Sequence, residues 1–390
     1  MIEQYRKKPP KLSGGNKNKG LNINKNKPVK FMTVKKIVLL AFLSLLFLFL
    51  LLVFIFLNFY RPSAPVDSWG GMDFNEFFDN EIFEGIERPV NMTQEDRNTD
   101  CYTFLILGRD ALGGQTDTIM LAMFNVKENT ISILNIPRDT YVTERRFSGK
   151  INNALGRGVS NAVRDGVPRG EEATKAGLKY LKGMVHYTFG VPVHYHILID
   201  LKGFKFLVDE IGGVEMYVPQ DMYYNDPEQG LFINLKEGPR TLNGSEAEQL
   251  VRYRSGYATQ DIGRIETQQK FVAALMKKLL RFDLKNINAL FATATKYMET
   301  NISATDAAWF AQRILQVKLE DIRTHTVPGG WVYPHQVAYK QETMEIINKY
   351  YNPFRIPIPE SNFNIDDKGA TGTGNTKTDI DGVTMAELLR

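Results

Sequence analysis

The feature that most constrains this chain is the run over 37–57, which is apolar apart from Ser44. As a helix, about twenty such residues match the hydrocarbon thickness of a bilayer, so a single transmembrane helix over 37–59 is expected. A secretory signal has a shorter apolar core and a small-residue cleavage site. This run is long and ends in Asn58-Phe59-Tyr60-Arg61-Pro62, which reads as an uncleaved anchor. Lys35 and Lys36 precede it, placing the N-terminus in the cytoplasm and everything after Tyr60 outside. ATP is scarce there, so a transfer reaction would need a substrate that is already activated.

The rest of the chain is large enough for a sizeable core. The formal charge of +4 on 390 residues is misleading, because residues 1–36 are crowded with Lys and Arg and hold one acid, Glu3. That segment reads as a basic disordered tail, and the remainder is net acidic. A nucleic-acid-binding surface is therefore not supported. Cys101 is the only cysteine, which excludes an intrachain disulfide and a cysteine-based metal cage.

Residues 60–99 hold Pro62, Pro65, Gly70, Gly71 and a run of acids, and read as an extracytoplasmic lead-in with a short helix at 74–83. Strand patterns follow at 102–107, 118–126 and 130–136, the last two joined by the polar turn Lys127-Glu128-Asn129. Helical periodicity covers 171–189. Strands at 194–199, 214–218 and 231–235 alternate with helices at 203–211, 244–252 and 261–282. The pattern predicts an α/β fold, a mixed central sheet flanked by helices on both faces, over 100–285. An extension over 286–358 is expected to pack on it, with helices at 287–300, 305–315 and 341–351 and a strand at 322–328. From 359 to 390 Gly, Thr, Asp and Asn dominate, which predicts a mobile tail.

The candidate site centres on 251–270. Asp261, Arg264 and Gln268 are spaced i, i+3, i+7 and share one face of a helix that begins near Asp261. Arg252 and Arg254 point the same way only if the backbone between them is extended. Arginines that converge repel one another unless an anion lies between them, and guanidinium geometry matches phosphate oxygens. The alternative, a solvated helix start with arginine paired to Glu246, Glu248 or Asp261, stays open. Asp110 and Asp117 flank a Gly-containing loop at strand ends, a placement suited to a hard cation such as Mg²⁺ or to capping loop amides. In Ile136-Pro137-Arg138-Asp139-Thr140, Pro137 ends a strand and sets Arg138 and Asp139 at its rim. Lys150-Ile151-Asn152-Asn153-Ala154 adds another cation, and acids and arginines from separate strand ends would meet at one sheet edge. The scattered histidines give no zinc spacing, and no serine-nucleophile motif is present.

These motifs, together with Leu107-Gly108-Arg109-Asp110, Thr116-Asp117-Thr118, Val208-Asp209-Glu210-Ile211-Gly212-Gly213, Leu242-Asn243-Gly244, Val251-Arg252-Tyr253-Arg254 and Asp261-Ile262-Gly263-Arg264, occur in an order that resembles the LytR-CpsA-Psr family of envelope proteins. The resemblance covers roughly residues 100 to 280 and rests on about eight ordered motifs. It implies a membrane-anchored phosphotransferase, in a Gram-positive cell, that moves a glycopolymer such as wall teichoic acid or capsule. The polymer would pass from undecaprenyl pyrophosphate to peptidoglycan with Mg²⁺ or Mn²⁺.

By matching motif, the resemblance implies that Asp110 and Asp117 hold the metal. Arg138, Arg252, Arg254 and Arg264 would grip the pyrophosphate beside Asp261, with Arg109, Asp139, Lys150 and Gln268 contacting substrate. The family usually has Arg or Ser where Gln115 stands and Arg where Thr267 stands. An apolar slot for the polyprenyl chain is sought among the helices at 203–211, 175–189 and 269–282.

Two other classes of function compete. Transcriptional regulation needs a cytoplasmic DNA-binding module, which about thirty basic residues without a helix-turn-helix pattern do not provide. A lipid-pyrophosphate hydrolase or a binding scaffold would share the same anion site.

Overall fold

The computed structural model describes residues 64–65, 96–109, 114–144, 147–227, 230–254, 256–257, 261–281, 297–367 and 382–389, excepting the side chains of 261, 262, 304, 307, 308 and 311. The expected tail at 1–36, the span at 37–59, the helix at 74–83 and Asp110 lie outside these residues. Among the described residues no helix is long and apolar enough to cross a membrane.

In chain order the strands are β1 (Cys101–Arg109), β2 (Thr116–Asn125), β3 (Thr130–Asn135), β4 (Tyr141–Glu144), β5 (Phe147–Lys150), β6 (Tyr195–Ile199), β7 (Val214–Val218), β8 (Met222–Asp226), β9 (Leu231–Leu235), β10 (Gly238–Leu242), β11 (Met298–Thr300), β12 (Ile322–Thr326), β13 (Gly329–Val332) and β14 (His335–Ala338). The helices are α1 (Ala154–Arg164), α2 (Glu171–Phe189), α3 (Leu201–Glu210), α4 (Gly244–Arg252), α5 (Asp261–Leu279), α6 (Ala304–Ile314), α7 (Lys340–Tyr350) and α8 (Met385–Leu388).

Six strands form the central sheet in the order β11-β6-β1-β2-β3-β12. β1 runs parallel to β6 and antiparallel to β2, and β3 runs parallel to β12. The sheet is therefore mixed, as the hairpin between β2 and β3 requires. Side chains alternate along each strand, so both faces of the sheet are covered. Leu105, Leu107, Ile119 and Leu121 pack with Leu155 of α1 and Leu178 and Met184 of α2. Phe104, Met120, Phe124 and Ile133 pack with Ala273 of α5 and Phe310 of α6 on the other face.

A second core joins α3, α4 and β7–β10 to the far side of α5, through Phe206, Ile233, Leu250, Phe271 and Leu275. α1 and α2 cross closely. A Cβ at Gly158 would fall 2.6 Å from Tyr180 Cβ, and one at Gly177 would fall 2.7 Å from Leu155 O. Glycine at both positions lets the two backbones approach.

Several expectations shift. The pattern read as helix over 287–300 lies largely outside the described residues, and its end, β11, is a strand that pairs antiparallel with β6. β12 forms the opposite edge of the same sheet, so segments beyond 285 complete the layer. Within the expected tail, Thr324 N donates to Val383 O at 3.3 Å and Met385 is 1% exposed, so a short helix docks where low apolar content predicted mobility. One buried methionine and a Thr384 capping box are too local to register as composition. α1, β4–β5 and the β13–β14 hairpin were not legible, being short or Gly-rich.

Candidate functional site

The C-terminal ends of the parallel strands β1, β6, β3 and β12 lie on one rim, the edge at which open α/β sheets bind ligands. β2 enters antiparallel, so its first residues reach the same rim and bring Asp117 there. A register shift falls between Gly108 and Arg109, and Gly108 lies so close to Thr118 that a Cβ would approach its Cβ to 3.1 Å.

Past β3, Pro137 O accepts Thr140 N at 2.9 Å, turning the chain sharply. Asn152 N donates to Arg138 O at 3.2 Å, and Ile151 N donates to Thr140 O at 2.9 Å. The backbone carrying Arg138 and Asp139 is thereby held by the segment that follows β5. Lys150 Nζ lies 3.0 Å from Asp139 Oδ1, which fixes a second charge pair beside the first.

Arg138 Nη1 donates to Asp117 Oδ1 at 2.6 Å. The pair is partly open, with side-chain exposures of 20% for Arg138 and 44% for Asp117. Arg138 Nε is buried and meets no hydrogen-bond partner among the described residues. A guanidinium with one arm engaged and a buried N–H unsatisfied can take a further acceptor.

α5 closes the other wall. Arg264, 4% exposed, and Gln268 are one turn apart and face the same cleft as Asp117, Arg138 and Asn135, with about 300 Å³ of empty space including its mouth. The helical spacing read from the sequence thus carries Arg264 and Gln268 to one place. Asp261 opens the helix, and its side chain lies outside the described ones. Gln268 Nε2 also donates to Val251 O at 2.9 Å, tying α5 to the last turn of α4. Burial raises the Tyr257 phenol above its usual range, against the neighbouring Thr267 hydroxyl and, less, the Arg264 charge.

Arg252 and Arg254 are not among the residues that line this cleft. Arg252 lies in the final turn of α4, where Glu248 is its i−4 neighbour at 2.9 Å; Lys205 holds the other oxygen of Glu248 at 2.7 Å. Only Tyr253 is extended between the two arginines, so the condition for their pointing together is half met. Arg254 is exposed. Arg109 ends β1, within electrostatic reach of Glu299 on β11, and its Nε is also buried without a partner among the described residues. Thr118, Asn135 and Ile265 also line the cleft, and the sequence reading gave none of them a role. Of the three, Thr118 stood in a quoted motif, Thr116-Asp117-Thr118.

Asp117 offers a hard carboxylate oxygen at the cleft, with Asp110 outside the described residues. Among the described residues no group of three or more His, Cys, Asp or Glu could hold a metal. A Mg²⁺ that keeps several waters and takes phosphate oxygens needs only one or two carboxylates.

Residues 79–352, well over half of the chain, match the model of the LytR_cpsA_psr family. An uncharacterized Staphylococcus aureus protein is 27% identical over 260 residues, which cover 66% of this chain and 59% of that relative; the chain therefore spans less than two thirds of its length. The Bacillus cereus polyisoprenyl-teichoic acid--peptidoglycan teichoic acid transferase TagU is 25% identical over 285 residues, covering 67% of this chain and 86% of that one. The solved structure of TagT bound to LIIa-WTA superposes with a TM-score of 0.53 at 22% identity, over 68% of this chain and 95% of that one, a likeness of fold.

Proposed function

Since the chain belongs to the LytR_cpsA_psr family, we propose that it transfers a glycopolymer of the teichoic acid or capsule class from undecaprenyl pyrophosphate to peptidoglycan, outside the membrane that anchors it. The observation that carries this reading is the rim cleft, where Arg138, already on Asp117, faces Arg264 and Gln268 with an unsatisfied N–H. Such a set suits a phosphoryl group.

In the reaction, a peptidoglycan hydroxyl oxygen attacks the phosphorus nearer the polymer. The bond from that phosphorus to the bridging oxygen breaks, undecaprenyl phosphate leaves, and the hydroxyl proton passes to a base. Asp110, Asp139 and Asp261 are the candidates for that base, and Asp139 already answers to Lys150. Arg138 and Arg264 hold the equatorial oxygens, where charge develops, and the preformed rim keeps them oriented. Asp117, with Asp110, would hold Mg²⁺ or Mn²⁺, which when bound neutralises charge on the pyrophosphate. Binding of the donor would draw Arg138 at least partly from Asp117, since one guanidinium cannot serve both fully.

A ligation assay tests this reading. The full chain in detergent is mixed with a labelled lipid-pyrophosphate glycan, with and without peptidoglycan and Mg²⁺. Acceptor-dependent release of lipid monophosphate, with label in peptidoglycan, is expected. Release without acceptor would make the protein a hydrolase, and no release would make it a scaffold. Protease accessibility of the C-terminal domain in intact cells reports which side of the membrane it occupies.

A further inference from the structure

Two aromatic rings stand in solvent on a hairpin that is hydrogen-bonded to the segment after Arg138. β13 and β14 pair from Gly329↔Ala338 to Val332↔His335, leaving a two-residue turn at Tyr333 and Pro334. The base of this hairpin is fixed: Gln336 is 5% exposed, Val337 0% and Ala338 3%. Its strands approach so closely that a Cβ at Gly329 would fall 2.2 Å from Val337 O. Gln336 N donates to Asp139 O at 3.0 Å, and Gln336 also bridges Thr140. Asp139 follows Arg138, which lines the cleft, so the hairpin is bonded to the segment that carries the site's arginine.

At the other end of the hairpin Trp331 is 54% exposed and Tyr333 93%. Large rings left in water on a braced support mark a recognition surface, because nothing in the fold gains from their exposure. Their flat apolar faces fit the C–H face of a pyranose ring, while the indole N–H and phenol O–H can meet its hydroxyls. Tyr and Trp offer this area at low entropic cost. A second aromatic hairpin, with Tyr223 edge-on to Phe232 at 6.0 Å, is built on the second core. Of these two aromatic hairpins, β13–β14 is the one bonded, among the described residues, to the segment of Arg138.

We propose that Trp331 and Tyr333 form the surface on which the acceptor glycan strand of peptidoglycan rests while one of its hydroxyls reaches the cleft. This rests on the transfer reading, and names where its acceptor binds.

The test uses the full chain carrying Trp331→Ala with Tyr333→Ala, and the aromatic control Trp331→Phe with Tyr333→Phe. Two readouts are taken: co-sedimentation with purified peptidoglycan sacculi, which needs no turnover, and acceptor and donor KM in the ligation assay. The alanine pair is expected to weaken sacculus binding and raise acceptor KM roughly tenfold, with donor KM and kcat nearly unchanged and the phenylalanine pair close to wild type. Unchanged sacculus binding and acceptor KM would overturn the proposal. So would a rise confined to donor KM, or a loss confined to binding of phosphatidylglycerol vesicles. Loss of sacculus binding upholds the glycan contact even if the wild-type chain transfers nothing, and that failure would count against the transfer reading alone. Circular dichroism and melting confirm that both variants fold, as exposed positions allow.

Discussion

Two groups of basic side chains in this molecule have opposite fates. At the rim, Arg138 and Arg264 line a cleft together with Asp117, which pairs with Arg138. Lys182 and His186 on α2, His194 just before β6 and His196 within it are all buried. Burial, with the Lys179 charge adding to it, brings the Lys182 amine down to about 7. Burial likewise lowers His186 to about 3 and, with the Lys182 charge, His196 to about 3. Thr103 N donates to His194 Nδ1 at 2.9 Å, which fits a neutral ring. Basic residue type therefore does not make an anion site. In the interior, burial without a facing acid disfavours the charged form of lysine and histidine, whereas at the rim Arg138 is partly open and paired with Asp117.

Substitutions can break or sharpen this contrast. The largest effect is expected from Arg138→Ala, which should cut ligation about a hundredfold or more, the usual cost of one desolvated donor. Its stability should change by no more than about 1 kcal/mol, because the partner Asp117 is nearly half exposed. Near-normal ligation by the purified variant would remove the arginine from the chemistry.

Next comes Lys182→Met, which should stabilise the fold at pH 7 by on the order of a few kcal/mol, with kcat unaffected. The sign follows from the lowered pKa. Between the ordinary lysine value, 10.5, and about 7, the unfolded chain holds a proton that the folded chain lacks, so wild-type stability falls as pH drops through that window. The variant's melting temperature should lose this slope, and an unchanged slope would show that Lys182 is solvated. Below pH 6.5 the buried histidines act in the same direction, so both proteins should lose stability toward about pH 3.

Asp117→Asn should raise the Mg²⁺ concentration for half-maximal activity about tenfold, and an unchanged requirement would place the metal elsewhere. The smallest effect is expected for Arg252→Ala, below about tenfold in kcat/KM, because its guanidinium already serves Glu248. A loss as large as that of Arg138→Ala would show that the pair opens when substrate binds.

Much of the sheet was legible because β1, β2 and β3 are continuous apolar runs, as strands buried on both faces must be. β7, β9, α2 and α4 were also readable, each having one clear period and a capping or glycine stop. Arg264 and Gln268 were legible as a pair because helical spacing alone puts them on one face. The pairing of Arg252 was left open between substrate and acid, since sequence gives the i−4 neighbour without saying whether it binds. The Trp331 and Tyr333 hairpin drew no notice, because exposure is not a property of sequence.

Local chemistry along the chain determined many of the strands and helices and the charged residues that end them, since periodicity and backbone restriction act over a few neighbours. Tertiary structure alone decided that β11 and β12, remote in sequence, complete the sheet, which arginines reach Asp117, and which bases lose their charge. Those outcomes depend on distance and solvation between segments far apart in the chain, and no local pattern encodes either.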